Sequence, residues 1–262
     1  MTTTFDIEFP RLSTDKVYLF YADVRALEEI NASTSERWLN HSEQSRLERF
    51  YFERDSKLYQ LSHCMLRWVL SHYTGQLPEH LEFAVNQYGK PSLKGDTDIS
   101  FNLSHSNETT VLAIGKNYEL GVDLEEINYQ KEIRNILDHF FHPDEILQFK
   151  ALNGAQKSEL FFKLWTLKEA YIKAKGLGLS IPLNAFNFDC SQAPILDVFF
   201  QTELNEKTSP WQFSLFESLH YDNFLTAVAV KSAQASIEAY NVRLSNSLIS
   251  PHKLRSVLQT KS

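Results

Sequence analysis

Long hydrophobic runs are absent from this sequence. No stretch of about 18 or more apolar residues occurs in its 262 residues, so nothing here is expected to span a bilayer. Cysteine is scarce. The two present, Cys64 and Cys190, lie far apart and lack metal-ligand spacing. Cys64 falls in a helical apolar pattern, where a free cysteine behaves as a small core residue. Positive charge is in deficit: the formal net charge of -7 argues against a general nucleic-acid binder, because neutralising phosphates takes concentrated Lys and Arg. The opening stretch, MTTTFDIEFPRLSTD, has no basic flank followed by an apolar core, so no secretory signal is expected. These absences predict a soluble protein of a reducing, cytoplasmic compartment. Low-complexity tracts and strict short repeats are missing too.

What is present is ordinary globular material, 43% hydrophobic and 23% charged, with ample apolar content for a core. The length suits one large domain or two small ones. Charge is distributed unevenly. Arg46, Arg49, Arg54, Lys57 and Arg67 crowd one early segment, and Lys157, Lys163, Lys168, Lys173 and Lys175 crowd a later one. The pattern suits two solvated helix faces, or a local anion site on an otherwise acidic protein.

Strands and helices recur in two comparable blocks that join near residue 118. In the first, residues 17–24 read as a strand, 35–47 and 54–73 as helices, and 81–86 as a short strand. Leu58, Leu61, Met65, Leu66, Val69 and Leu70 form the apolar stripe of the longer helix, and Gly75 and Pro78 break it. Gly89-Lys90-Pro91 reads as a turn, and the stretches from Ile99 and Thr109 as an antiparallel pair. In the second block, 119–127 alternates as a half-buried strand should. Helices follow over 132–140, 144–152 and 158–175, the last ended by Gly176 and Gly178. Strands near 186–188, 195–200, 211–216 and 225–230 close the block. Residues from 234 onward are expected to form a terminal helix or a loose tail. The division expected is 1–118, 119–233 and a C-terminal extension, 234–262.

Several residues carry possible chemistry. Asp123 and Glu125, two apart on a strand, share a face with side chains about 7 Å apart, a spacing suited to one hard cation or simply to a strand's wet face. Glu169 and Lys173 lie four apart on a helix, in line with Phe161 and Trp165. They read as a surface ion pair, or as charges buried beside a metal and a phosphate. Ser104, His105 and Ser106 offer donors to phosphate oxygens, or cap a turn locally. Lys90 supplies a positive tip to a loop that Gly89 bends and Pro91 stiffens. His142 in FFHPDE reads as a helix-start residue, and His63 and His72 need no ligand role.

Taken in order, GKPSL, FNLSHS, GVDLE, FFHPDE and LWTLKEAYIKAKGLGLSIPL resemble the 4'-phosphopantetheinyl transferase superfamily, in its larger, Sfp-like type, over residues 35 to 230. The resemblance implies a pseudo-twofold α+β fold of two similar halves with the active site between them. It implies transfer of 4'-phosphopantetheine from coenzyme A to a serine of an apo acyl or peptidyl carrier protein, releasing 3',5'-ADP, as in enzymes of the holo-[acyl-carrier-protein] synthase type. By resemblance, Asp123, Glu125 and Glu169 hold Mg²⁺ against the pyrophosphate of coenzyme A. Lys173 reaches that pyrophosphate, and Lys90, Pro91, Ser104 and His105 contact the nucleotide and its phosphates. Arg46 and Lys57 fall in the basic segment that approaches the 3'-phosphate, where Glu43 departs from the pattern by occupying a basic position.

The first half would thus carry the nucleotide contacts, and the second the metal and the carrier. A general base must take the serine proton; Glu169 is the first candidate and Glu145 the second. The helix 158–175 and the loop after it are expected to dock the carrier protein, with Lys163 and Lys175 contributing. No nucleic acid or membrane partner is expected, and a monomer follows from the family. Two other readings compete: a catalytically silent coenzyme A or carrier-protein binding module, and a Mg²⁺-dependent phosphatase or nuclease.

Overall fold

A computed structural model of the chain describes residues 8–28, 31–130, 133–204, 206, 210–232, 234–244 and 248–260. The first stretch of elements is β1 (Lys16–Asp23), α1 (Val24–Glu28), α2 (Ala32–Trp38), α3 (His41–Leu47), α4 (Glu53–Thr74), β2 (Phe83–Val85), β3 (Pro91–Leu93), β4 (Ile99–Ser106) and β5 (Thr109–Lys116). There follow β6 (Leu120–Glu126), α5 (Arg134–Phe140), α6 (Pro143–Phe149), α7 (Gly154–Lys175), β7 (Phe186–Asp189), β8 (Ile195–Phe200), β9 (Trp211–Ser218) and β10 (Phe224–Lys231). The chain closes with β11 (Ser236–Arg243), β12 (Leu248–Pro251) and β13 (Leu254–Thr260). This is a mixed α+β fold in two units, each a long helix packed on a mostly antiparallel sheet. Among the described residues, no helix is long and apolar enough to cross a membrane.

The first unit comprises residues 1–85, 91–117 and 236–253, and the second 86–90, 118–235 and 254–262. In the first, the sheet order is β12-β11-β1-β5-β4, and α4 lies across β1, β5 and β4. All six expected stripe residues of α4 are buried, and all but Leu58 cluster with Phe20, Leu112 and Ile114 of the sheet. Burial of each such side chain contributes about 1.5–3 kcal/mol. In the second unit, the order is β6-β10-β9-β13-β8-β7, and α7 covers β6, β10 and β9. Its Phe161, Leu164, Leu167 and Tyr171 pack with Phe213, Leu225 and Ala227. Both long helices stop at a glycine in the left-handed region, Gly75 (φ 70°) and Gly176 (φ 65°).

Two of the expected elements differ in the structure. The helix expected over 35–47 is two helices, because Leu39 is extended and Asn40 starts α3 with a capping box: its side chain accepts from the Glu43 amide while Glu43 accepts from the Asn40 amide. Residues from 236 onward are strands rather than a helix or tail: β11 pairs in parallel with β1, and β13 joins β9 in the other unit's sheet. The two units are also not contiguous halves of the chain, since 86–90 and 236–253 each fall with the other half. The expected helix start at Glu132, and residues 1–7 of the first block, lie outside the described residues.

Candidate active site

The second unit is organised by an unusually close approach of strand to helix. A Cβ placed on Gly121 would lie 2.1 Å from the Ala170 carbonyl oxygen and 2.3 Å from the Ala174 nitrogen. Only glycine permits β6 to run so near α7. Because side chains alternate along a strand, the face that carries Gly121 toward the helix also carries Asp123 and Glu125. The opposite residues, Leu120, Val122 and Leu124, are buried as well, so β6 is occupied on both sides rather than half-exposed.

That contact brings the sequence-predicted side chains together. Lys173 Nζ lies 2.7 Å from Asp123 Oδ1, and the Asp123 side chain is buried. Trp165 Nε1 donates to Glu125 Oε1 at 3.2 Å, its ring stacked on Phe161 at 5.8 Å. Glu169 sits one turn from each of Trp165 and Lys173, half-buried. Burial pushes its carboxyl up, the Asp123 charge adds to this, and Lys173 acts in the other direction. Two carboxylates that repel one another in a partly dry setting favour a cation, and the donor set is all oxygen, as a hard cation prefers. In this side-chain arrangement, Lys173 supplies the positive charge on Asp123. Among the described residues, no group of three His, Cys, Asp or Glu side chains converges to hold an ion.

Glu145 has a different task from the one expected of it. It is fully buried; its oxygens accept from the His142 and Phe188 amides at 2.9 and 3.0 Å and pair with Lys168 at 2.9 Å. Lys168, also fully buried, donates to the Leu183 and Phe186 carbonyls at 2.7 Å each. Burial pushes the carboxyl up and the ammonium down, and each charge counteracts that push on its partner. Glu145 therefore ties α6, α7 and β7 together and does not present a base to solvent. The sequence signal was His142-Pro143-Asp144-Glu145, a capping box with proline at the first helical position. Lys168 likewise leaves the expected solvated face.

Comparison with known proteins gives the family. Residues 119–229 match the model of the 4'-phosphopantetheinyl transferase superfamily, and residues 28–117 that of the 4'-phosphopantetheinyl transferase N-terminal region. The HetI 4'-phosphopantetheinyl transferase of a Nostoc species is 31% identical over 195 residues, covering 73% of this chain and 78% of that protein. The chain belongs to the 4'-phosphopantetheinyl transferase superfamily. The Gsp 4'-phosphopantetheinyl transferase of Aneurinibacillus migulanus is 43% identical over 141 residues, 53% of this chain and 56% of that protein. The chain thus spans little more than half the length of that relative. Sfp of Bacillus subtilis is 28% identical over 203 residues, 77% and 87% of the two chains.

The other positions that carry the phosphopantetheinyl transferase resemblance are differently placed. Lys90 is no positive tip: its Nζ turns inward to the carbonyls of Leu120 at 3.0 Å and Ala174 at 2.6 Å. Burial lowers its pKa to about 8, with the Glu119 charge acting the other way. In the first unit, Pro91 opens β3, and Ser104 and His105 lie in β4 itself, Ser104 buried and His105 exposed; the turn is at Asn107 and Glu108. Arg46 is exposed over the Tyr59 ring, and Lys57 is exposed beside Glu53. Glu43, the departure from the family pattern, is buried against Arg67 and His63 at 2.8 and 2.9 Å. Burial raises its pKa, yet the bonds from His63, the Asn40 amide and Arg67 lower it further, and the balance falls below the ordinary value. Arg67, fully buried, also donates to the Pro78 and Leu81 carbonyls, so it belongs to the core and not to a basic face. Of the two lysines expected to dock the carrier, Lys175 is held by Glu206 at 2.5 Å, while Lys163 lines an open groove of about 570 Å³ with Tyr129 and Leu219.

Proposed function

We propose that this chain transfers 4'-phosphopantetheine from coenzyme A to a serine of an apo carrier protein, releasing 3',5'-ADP. The observation that supports it most is the Lys173–Asp123 contact beside Glu169, built across the Gly121 approach. Asp123, Glu125 and Glu169 would hold Mg²⁺, which when bound neutralises charge on the pyrophosphate and orients its oxygens. Lys173 would exchange Asp123 for a pyrophosphate oxygen and stabilise the negative charge that grows as 3',5'-ADP leaves. Glu169, one turn from Lys173 on α7, is the first candidate to accept the serine proton as the hydroxyl oxygen bonds to the β-phosphorus and the bond to the departing 3',5'-ADP breaks. The reaction asks little covalent work of the protein, so positioning and charge dominate. Ser104, His105, Pro91, Arg46 and Lys57 of the first unit remain candidates for the nucleotide and 3'-phosphate. Lys163 and Lys175 are the proposed carrier contacts, with Lys163 in a groove it shares with Glu159, Glu217 and Asp222. A monomer in a reducing, cytoplasmic compartment is proposed as the working form.

Intact-mass spectrometry of several apo carrier proteins, with coenzyme A and Mg²⁺ and with or without EDTA, tests this reading. The expected result is a metal-dependent gain of one phosphopantetheine on a single serine. The carriers that gain it decide whether the holo-[acyl-carrier-protein] synthase type applies. Coenzyme A binding without transfer to any carrier would overturn the reading in favour of a binding module.

A further inference from the structure

Lys90 carries more structure than a phosphate contact requires. It ends a five-residue stretch, 86–90, that belongs to the second unit although its neighbours on both sides belong to the first. Asn86 fixes that stretch: its Oδ1 accepts from the amides of Tyr88 and Lys90, and its Nδ2 donates to the Gly176 carbonyl at 2.7 Å. The Lys90 stem runs against Gly176, where an added Cβ would lie 2.6 Å from Lys90 Cδ. Its ammonium then bridges the first residue of β6, through the Leu120 carbonyl, and the last turn of α7, through the Ala174 carbonyl. Carbonyls in the last turn of a helix lack intrahelical partners, and a cation there is favourable. Leu120 and Ala174 adjoin Gly121 and Lys173 respectively, so the bridge spans the junction that sets Asp123 against Lys173.

We infer that Lys90 is a positioning residue, which locks the start of β6 to the end of α7 and so fixes Asp123, Glu169 and Lys173 relative to one another. The inference rests on the proposed transferase reaction, and it replaces the expected phosphate contact of Lys90. The two roles separate kinetically. A lost phosphate contact weakens coenzyme A binding at unchanged kcat, whereas a lost lock misplaces the groups that act on the pyrophosphate and lowers kcat.

The test is Lys90→Met and Lys90→Cys, with kcat and KM for coenzyme A measured on a carrier and coenzyme A affinity measured by calorimetry. The lock predicts that kcat falls about tenfold or more, with a smaller change in KM and affinity. Treating Lys90→Cys with 2-bromoethylamine rebuilds a lysine-like ammonium and should restore kcat; iodoacetamide should not. Parallel treatment of the parent protein controls for reaction at Cys64, which is buried, and at Cys190, which is partly exposed. Amide hydrogen exchange of Lys90→Met should quicken at the Gly176 amide, which bonds to the Ile172 carbonyl. A tenfold loss of coenzyme A affinity at unchanged kcat, or failure of the rebuilt ammonium to restore turnover, would overturn the inference. If the unmodified protein transfers nothing, the functional reading fails, and the exchange measurement still decides the lock: unchanged protection at Gly176 refutes it.

Discussion

Gly121→Ala puts the argument about the site at risk most directly. The new methyl carbon would sit 2.1 Å from a carbonyl oxygen and 2.3 Å from an amide nitrogen, both backbone atoms of α7 that no rotamer change can move aside. Ordinary contact begins near 3.4 Å, so β6 and α7 must part by roughly 1.3 Å. Overpacking of this kind costs about 1–3 kcal/mol, and rigid neighbours place it at the upper end. Alanine recovers about 0.4–1 kcal/mol through the unfolded chain, leaving a net loss of about 2 kcal/mol. The catalytic effect should be larger. Asp123 rides on β6 and Lys173 on α7, 2.7 Å apart, and a misplacement near 1 Å can cost about 100-fold in rate. Urea unfolding followed by circular dichroism gives the first quantity, and phosphopantetheinylation of a carrier protein the second. Stability within about 0.5 kcal/mol of the parent together with parental turnover would refute the reasoning.

Other expectations follow from the same contacts. Glu169→Gln should lower kcat by about 10²–10⁴ with the melting temperature retained, and near-normal turnover would remove Glu169 from the reaction. Lys168→Met leaves the Glu145 carboxylate buried without its partner and should cost about 3–5 kcal/mol in urea unfolding, with less lost when Glu145→Gln is added. A single-variant cost below about 1 kcal/mol would show that the pair is dispensable. Glu43 has a folded pKa below its ordinary 4.5, so it contributes stability above that pH that is lost as pH falls through the folded value. The stability gap between parent and Glu43→Gln should therefore narrow on acidification below about 4.5, and a gap constant from pH 7 to 3 would contradict this.

The sequence by itself was enough for the elements whose signals are local. The α4 stripe, the glycine stops at Gly75 and Gly176, the β4–β5 pair and the placement of Asp123 and Glu125 on one face of a strand all follow from periodicity and turn chemistry within a few residues. So does the alignment of Glu169 and Lys173 behind Phe161 and Trp165. The motif order also carried the family. The burial of individual charges was not legible in this way. Lys168 and Lys163, five residues apart on one helix, look alike in sequence, yet one is sealed against Glu145 and two carbonyls while the other faces an open groove. Arg67 and Lys90 were read as outward cations for the same reason, and both turn inward to backbone carbonyls. Strand β11 is not legible in its polar, weakly alternating residues, because it joins the sheet through β1, some 220 residues earlier in the chain. Periodicity reports which face of an element is apolar. Whether a charge on that element meets water, a carboxylate or a carbonyl depends on residues far away in the chain, and only the tertiary structure brings them there.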